Sequence, residues 1–176
     1  MTATTVHTTL DSPLGEVLLV GERSATAPGG TALASLSVPD QKGGATVQPG
    51  WTHDPAAFTE IAAQLTAYFD GRRTRFDIAY VPAGSPFQQR VWQALEAIPY
   101  GETFTYGDIA ARIGAPRAAV RAVGTAIGRN PLLVVRPCHR VIGANGTLTG
   151  YAGGLHRKEQ LLRLEGAACV AGPLTA

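Results

Sequence analysis

The tightest constraint on this 176-residue chain is the run Val134-Val135-Arg136-Pro137-Cys138-His139-Arg140-Val141-Ile142, which sets one of only two cysteines beside a histidine. β-branched residues precede the pair and a Gly143-Ala144-Asn145-Gly146 turn follows it. Leu132 to Val135 reads as a short buried strand. Pro137 has no amide hydrogen to give to a ladder, so the strand is expected to stop there and leave Cys138 on an irregular turn. A thiol is a nucleophile only as thiolate, and a free cysteine is only about a few per cent ionised at neutral pH. His139, Arg140 and a nearby helix N-terminus are the groups that could lower its pKa. A lone cysteine is equally a small core hydrophobe. The Cys-His pair alone does not choose between the two.

A hydrophobic fraction of 45% and a charged fraction of 16% describe a soluble globular chain, long enough for one compact domain or two small ones. A net charge of +2 announces no nucleic-acid partner by itself, but its distribution does more. Arg112, Arg117, Arg121, Arg129, Arg136 and Arg140 occur in one stretch without an Asp or Glu, which makes a local basic field. Cys138 and Cys169 form no disulfide framework and no zinc spacing, so a reducing, cytoplasmic setting is expected and no metal. Met1 to Leu10 has neither a basic leader nor a long apolar core, so no export signal is expected, and no apolar run approaches membrane-spanning length.

In chain order, Val6 to Leu10, the turn Asp11-Ser12-Pro13-Leu14-Gly15 and Glu16 to Val20 predict a β-hairpin. Gly21 to Gly30 and Pro39 to Gly50 read as loose loops, with a strand over Thr31 to Val38 between them. Asp54-Pro55 is a helix start, Phe58, Ile61, Leu65, Tyr68 and Phe69 recur at helical spacing, and Gly71 is the stop. Phe76 to Val81 is expected as another strand. The linker Pro82-Ala83-Gly84 places a boundary between a first domain, residues 1–83, and a second, residues 84–168. A frayed tail over 169–176, with an incidental Cys169, completes the division.

Helices dominate the second domain. Ser85-Pro86-Phe87-Gln88 combines an N-cap, a first-position proline and a capping-box glutamine, and Phe87, Val91, Trp92, Leu95 and Ile98 form a core face. Thr105 to Asp108 is another cap, followed by Ile109, Ala110 and Ile113. Gly114-Ala115-Pro116 breaks that helix, and Arg117 to Ile127 starts the next, so the pair reads as a helix-turn-helix. Ala118, Ala119, Ala122, Gly124, Ala126 and Gly128 keep the second helix slim. A slim helix suits a DNA groove or close packing against a neighbouring helix. Asn130-Pro131 ends it and leads into the cysteine run. Thr149 to Gly154 is a Gly-rich loop without a phosphate-loop pattern, read as a flexible wall over a pocket. Leu155 to Glu165 is the last helix.

Pro137-Cys138-His139-Arg140-Val141, Arg121-Ala122-Val123-Gly124, Arg129-Asn130-Pro131, Tyr100-Gly101-Glu102 with Tyr106, and Gly150-Tyr151-Ala152-Gly153-Gly154 before Leu161-Leu162 and Glu165 together resemble the O6-alkylguanine-DNA alkyltransferase family. The resemblance runs from about Phe87 to Gly166 and is weaker before it, through Asp11 to Gly15 and Tyr68 to Gly71. It implies an α+β protein: a small N-terminal sheet with a covering helix, ribonuclease H-like, and a mostly helical, winged-helix-like second domain. It implies single-turnover repair of O6-alkylguanine, with O4-methylthymine as a further substrate, in double-stranded DNA. Cys138 would accept the alkyl group, His139 would remove its proton through a water, Glu165 would orient His139, and Asn130 would act as the hinge to the site. Among the substrate-binding residues it implies, Arg121 would occupy the space the flipped base vacates, and Tyr106, Val141, Tyr151 and Ala152 would bind the base. Arg117, Ala119, Val120, Gly124 and Arg129 would meet the DNA backbone or groove. A monomer without cofactor is expected.

The chain departs from the family pattern at three places. It carries one residue more than the usual turn between Pro116 and Arg121, Arg136 stands where an apolar residue is normal, and Ala152 replaces an often polar one. Two other readings belong to different classes. A lesion sensor would bind alkylated DNA without repairing it, but sensors of this kind lack the acceptor cysteine. A Cys-His-Glu hydrolase would have no use for an arginine-bearing helix.

Overall fold

The computed structural model describes residues 4–170. Its first unit is built on the hairpin. β1 (Thr5–Ser12) and β2 (Gly15–Arg23) pair antiparallel with Ser12 opposite Gly15, so Pro13 and Leu14 alone make the turn. Ser12 closes it by accepting from Leu14 N at 3.1 Å and donating to Gly15 O at 2.7 Å. β3 (Thr31–Ser37) pairs antiparallel with β2, and β4 (Thr52–His53) parallel with β1, giving the order β3-β2-β1-β4. The β2–β3 register slips between Val20 and Gly21, where an added Cβ would lie 2.6 Å from Ala32 O. Only glycine lets the two backbones approach so closely there.

A 3-10 turn, Pro55–Phe58, leads into α1 (Thr59–Phe69), which buries Ile61, Leu65 and Tyr68 in a core shared with Val6, Val17, Leu19, Leu33 and Phe58. Gly71, at φ 75°, follows its end. The strand expected over Phe76 to Val81 reduces to a single bridge, Leu33 with Tyr80. The reason is a side chain. Buried Gln64 takes Asp77 N at 2.8 Å and gives to Asp77 O at 2.9 Å, satisfying backbone groups that a neighbouring strand would otherwise pair. Part of the loop expected over Gly21 to Gly30 is regular, since β2 reaches Arg23 and Pro28–Gly30 forms a 3-10 turn.

The second unit packs α2 (Pro86–Glu96), α3 (Tyr106–Arg112) and α4 (Val120–Gly128) on one another, with α5 (Leu155–Leu164) against the Cys138–Arg140 turn. The expected capping box of Ser85 with Gln88 forms, and the expected cap at Thr105 closes as a second box with Asp108. Short strands β5 (Phe104–Thr105) and β6 (Val141–Ile142) pair in parallel. Arg117–Ala119 is a 3-10 turn, so the regular α-helix begins only at Val120.

Pro131–Val135 groups with the residues up to Pro82, although the sequence carries it between α4 and Cys138. Its expected strand is absent beyond one bridge, Leu36 with Leu132. The tail expected from residue 169 starts folded, as a 3-10 turn over Ala168–Val170 that buries Val170 against Ile142, Leu162 and Ala167. The rest of that tail lies outside the described residues.

Candidate functional site

The backbone reaches Cys138 through two γ-turns. Val135 N donates to Leu133 O at 2.8 Å around Val134, which sits at φ 71°. A β-branched residue in the left-handed region costs on the order of 1–3 kcal/mol. Cys138 N then donates to Arg136 O at 2.7 Å around Pro137, at φ −78° and ψ 61°. This second turn is of the low-energy inverse kind, and proline favours its φ. The β-branched run looked like a strand because propensity is local and the turns are imposed from outside it. Cys138–Arg140 follows as one 3-10 turn with all three side chains buried.

His139 is fully buried, and its Nε2 lies 2.8 Å from Glu165 Oε2. Arg140 grips the same carboxylate in a fork, Nε to Oε1 at 2.7 Å and Nη2 to Oε2 at 3.0 Å, and sends Nη1 to Ile98 O at 2.6 Å. Burial pushes the Glu165 carboxyl up, but hydrogen bonds from His139 and Arg140 outweigh it and hold the pKa at about 2. Burial lowers the His139 pKa more than its bond to Glu165 raises it. At neutral pH the pair is therefore carboxylate and neutral imidazole. The carboxylate can only accept, so Nε2 carries the hydrogen and Nδ1 is left with a lone pair. Nδ1 is buried and has no hydrogen-bond partner among the described residues.

Burial raises the Cys138 thiol to about 11, against a hydrogen bond from Asn130 and the positive charges of Lys158 and Arg136. The expectation that His139 and Arg140 lower it is corrected. Neither opposes the burial, because one is neutral and the other is spent on Glu165. At rest the thiol keeps its proton, and a base must take that proton for sulfur to react.

Lys158 was not singled out in the sequence. It is 1% exposed, with Nζ at 2.8 Å from Thr149 O and 3.2 Å from Gly150 O, and burial lowers its pKa to about 8. Tyr106 Oη donates to the same Thr149 carbonyl at 3.2 Å, so α3 and α5 hold the Gly-rich loop from two sides. Burial raises the Tyr151 hydroxyl well above its ordinary value, with the neighbouring Cys138 and Glu165 adding to the rise. A signal for Lys158 existed. Lys158, Leu161, Leu162 and Glu165 recur at helical spacing, so two charged residues occupy an apolar face.

Asn130, Cys138, His139, Tyr151 and Glu165 thus come together. Val141 is fully buried in β6. Ala152 is half-buried beside Tyr151. On α4, Val123, Ala126 and Ile127 face inward, while Arg121, Ala122 and Thr125 are exposed at the complementary spacing, as are Ala118 on the preceding 3-10 turn and Arg129 just past the helix end. Gly124 lies under the Tyr106 ring, where an added Cβ would touch it at 3.8 Å. Tyr106, Arg117 and Val120 line an open groove of about 620 Å³ that Cys138 does not reach. Ala119 and Val120 are half-buried, Arg117 exposed.

Residues 5–81 match the model of the 6-O-methylguanine DNA methyltransferase ribonuclease-like domain, and residues 86–167 that of the DNA-binding domain of the same proteins. A methylated-DNA--protein-cysteine methyltransferase of Mycolicibacterium paratuberculosis is 52% identical over 162 residues, covering 90% of this chain and 91% of its own. The chain belongs to the 6-O-methylguanine DNA methyltransferase family. A further family member, from Methanosarcina acetivorans, is 48% identical over 157 residues, 89% of this chain and 96% of its own. The crystal structure of Mycobacterium tuberculosis OGT in complex with DNA superimposes with a TM-score of 0.81 at 47% identity, covering 94% of this chain and 96% of that one.

Proposed function

We infer that this chain repairs DNA directly, moving the alkyl group of an O6-alkylguanine onto its own cysteine, once and irreversibly. Family membership supports a methylated-DNA--[protein]-cysteine S-methyltransferase, and Cys138 is the residue we assign as acceptor. The single observation that carries the assignment is the buried chain Cys138, His139, Glu165, in which a neutral imidazole is held by a carboxylate at 2.8 Å with its other nitrogen unengaged. As sulfur bonds to the alkyl carbon, the C–O6 bond breaks and its electron pair stays on the guanine. The thiol proton passes through a water to His139 Nδ1 and finally neutralises the released base. Glu165 stabilises the transient imidazolium, which is the nucleophile, base and orienter logic of a hydrolytic triad. The thioether is not hydrolysed, so one molecule acts once.

DNA is the partner. The alkyl group is inaccessible inside a duplex, so the nucleotide must leave the stack, at about a few kcal/mol. In this reading the exposed, slim face of α4 enters the minor groove, Arg121 takes the vacated space, and Arg117 and Arg129 meet phosphates with Ala119, Val120 and Gly124 along the contact. Tyr106, Tyr151, Ala152 and the Val141 backbone receive the base, and Asn130 joins helix to acceptor turn. Residues 84–168 would thus hold both DNA-binding and acceptor functions, in a cytoplasmic monomer with O4-methylthymine as a second substrate. Among the described residues no helix is long and apolar enough to cross a membrane. The sensor and hydrolase readings are not favoured, the first because Cys138 is present and the second because of the family.

The test is incubation with a methylated oligonucleotide and mass measurement of the Cys138 peptide. One methyl group per molecule is expected. Cys138→Ala should abolish transfer and keep DNA binding. Multiple turnovers, or a methyl group elsewhere, would sink the assignment.

A further inference from the structure

Neither the His139–Glu165 pair nor the DNA-reading helix uses Arg136. Its guanidinium is nearly buried, at 9% exposure, and lies 4.9 Å from the centroid of the Trp92 ring. Trp92 is itself fixed, since Nε1 donates to Ala126 O at 2.9 Å and so ties α2 to α4. Arg136 Nη1 donates to Asn130 Oδ1 at 3.4 Å, and Asn130 Nδ2 donates back to Arg136 O at 2.9 Å. That carbonyl also takes Cys138 N at 2.7 Å.

A carboxamide can sit either way round, but a guanidinium offers only donors, so it selects the orientation with Oδ1 toward itself. Nδ2 is then the end presented to the Arg136 carbonyl and to the Cys138 sulfur. Reversing the amide would set Nδ2 against the guanidinium and Oδ1 against a carbonyl, two repulsions in a buried place. Burying a guanidinium is itself expensive, and a cation over an indole face with a hydrogen bond offsets only part of that cost. An apolar residue would fill the position without it.

We propose that Arg136 is a positioning residue for the alkyl transfer: stacked on Trp92, it locks the Asn130 amide so that it donates toward Cys138, and it keeps a permanent positive charge near the sulfur as the proton leaves. The proposal rests on Cys138 being the acceptor. The other titratable groups around this place are Glu96 on α2, Lys158 on α5, Tyr151 on the Gly-rich loop and His139 on the acceptor turn itself, the last two uncharged at neutral pH. Glu96 opposes the effect of Arg136, and Lys158 reinforces it.

The experiment compares wild type, Arg136→Met and Arg136→Lys. It measures the rate of methyl transfer from a methylated duplex against pH, the affinity for the same duplex, and the rate at which iodoacetamide labels Cys138 without DNA. Met keeps the stem over Trp92 but has no charge and no donor. It should slow transfer about tenfold, as when a thiol pKa rises by about one unit, and move both rate–pH curves to higher pH with DNA affinity unchanged. Lys keeps the charge without the planar fork. Its pH curves should stay near wild type while its rate remains below it. Wild-type rates and pH curves in Arg136→Met overturn the proposal. So do losses in either variant that track only the folded fraction measured by circular dichroism, with no shift in pH. If Arg136→Met does not fold, Arg136→Lys still decides, since a wild-type rate in it removes the amide lock. Failure of wild type to methylate Cys138 would instead overturn the acceptor assignment, a result the three-way comparison keeps separate.

Discussion

The two units bury polar side chains for different ends. Among the described residues, the buried polar ones of the first are Thr8, Thr31, Ser37 and Gln64, all uncharged, whereas Asn130, Arg136, His139, Arg140, Lys158 and Glu165 are buried in the second. Thr31 donates to Ala57 O at 2.6 Å and Gln64 pairs with Asp77, so each closes a backbone gap in the frame. A neutral hydrogen-bonded group is an inexpensive way to do this. Buried ions cost several kcal/mol each before their pairing is counted, and a frame has no need of them. Their confinement to the acceptor unit marks the place where protonation states are being set.

Glu165→Ala is the harshest way to probe that contrast. It leaves Arg140 buried without its carboxylate and should cost about 3–5 kcal/mol by urea unfolding, with methyl transfer lost in the molecules that remain folded. Retention of normal transfer would end the orienting role of Glu165. The same group gives a pH signature. Its folded pKa, about 2, lies below its ordinary value of 4.5, so its stabilisation is full above that ordinary value and is lost as pH falls toward 2. Acid titration of wild type should show this loss, and Glu165→Gln should flatten it.

In the first unit Gln64→Ala should cost about 1–3 kcal/mol, because it strands the amide and carbonyl of Asp77. Transfer per folded molecule should not change. A selective loss of transfer in this variant would erase the distinction between frame and acceptor unit. The smallest effect belongs to an exposed pair on α5, Arg163 with Glu159 at 2.9 Å. Glu159→Gln should change stability by less than about 0.5 kcal/mol and leave transfer alone, a control that charge on that helix matters only where it is buried.

Much of this architecture was legible in the residues. The hairpin turn, the capping box at Ser85, the cap at Thr105, the slim arginine-bearing helix and the Cys-His pair are local patterns whose physics is complete within a few neighbours. The misreadings share one cause. Leu132 to Val135 and Phe76 to Val81 have the composition of strands, yet the first is bent by a left-handed Val134 and the second is held by Gln64. Lys158 shares the helical spacing of Leu161 and Leu162, but a lysine in a helix is ordinarily solvated, and packing is what buries this one.

Sequence alone determined which residues could act as nucleophile, base and acid, since side-chain chemistry is a property of the residue. Tertiary structure decided their protonation states. Burial keeps the Cys138 thiol protonated and His139 neutral, Arg140 and His139 keep Glu165 ionised, and Arg136 turns the Asn130 amide. Desolvation and pairing depend on what surrounds a group in three dimensions, and those surroundings come from segments as far apart as α2 and α5.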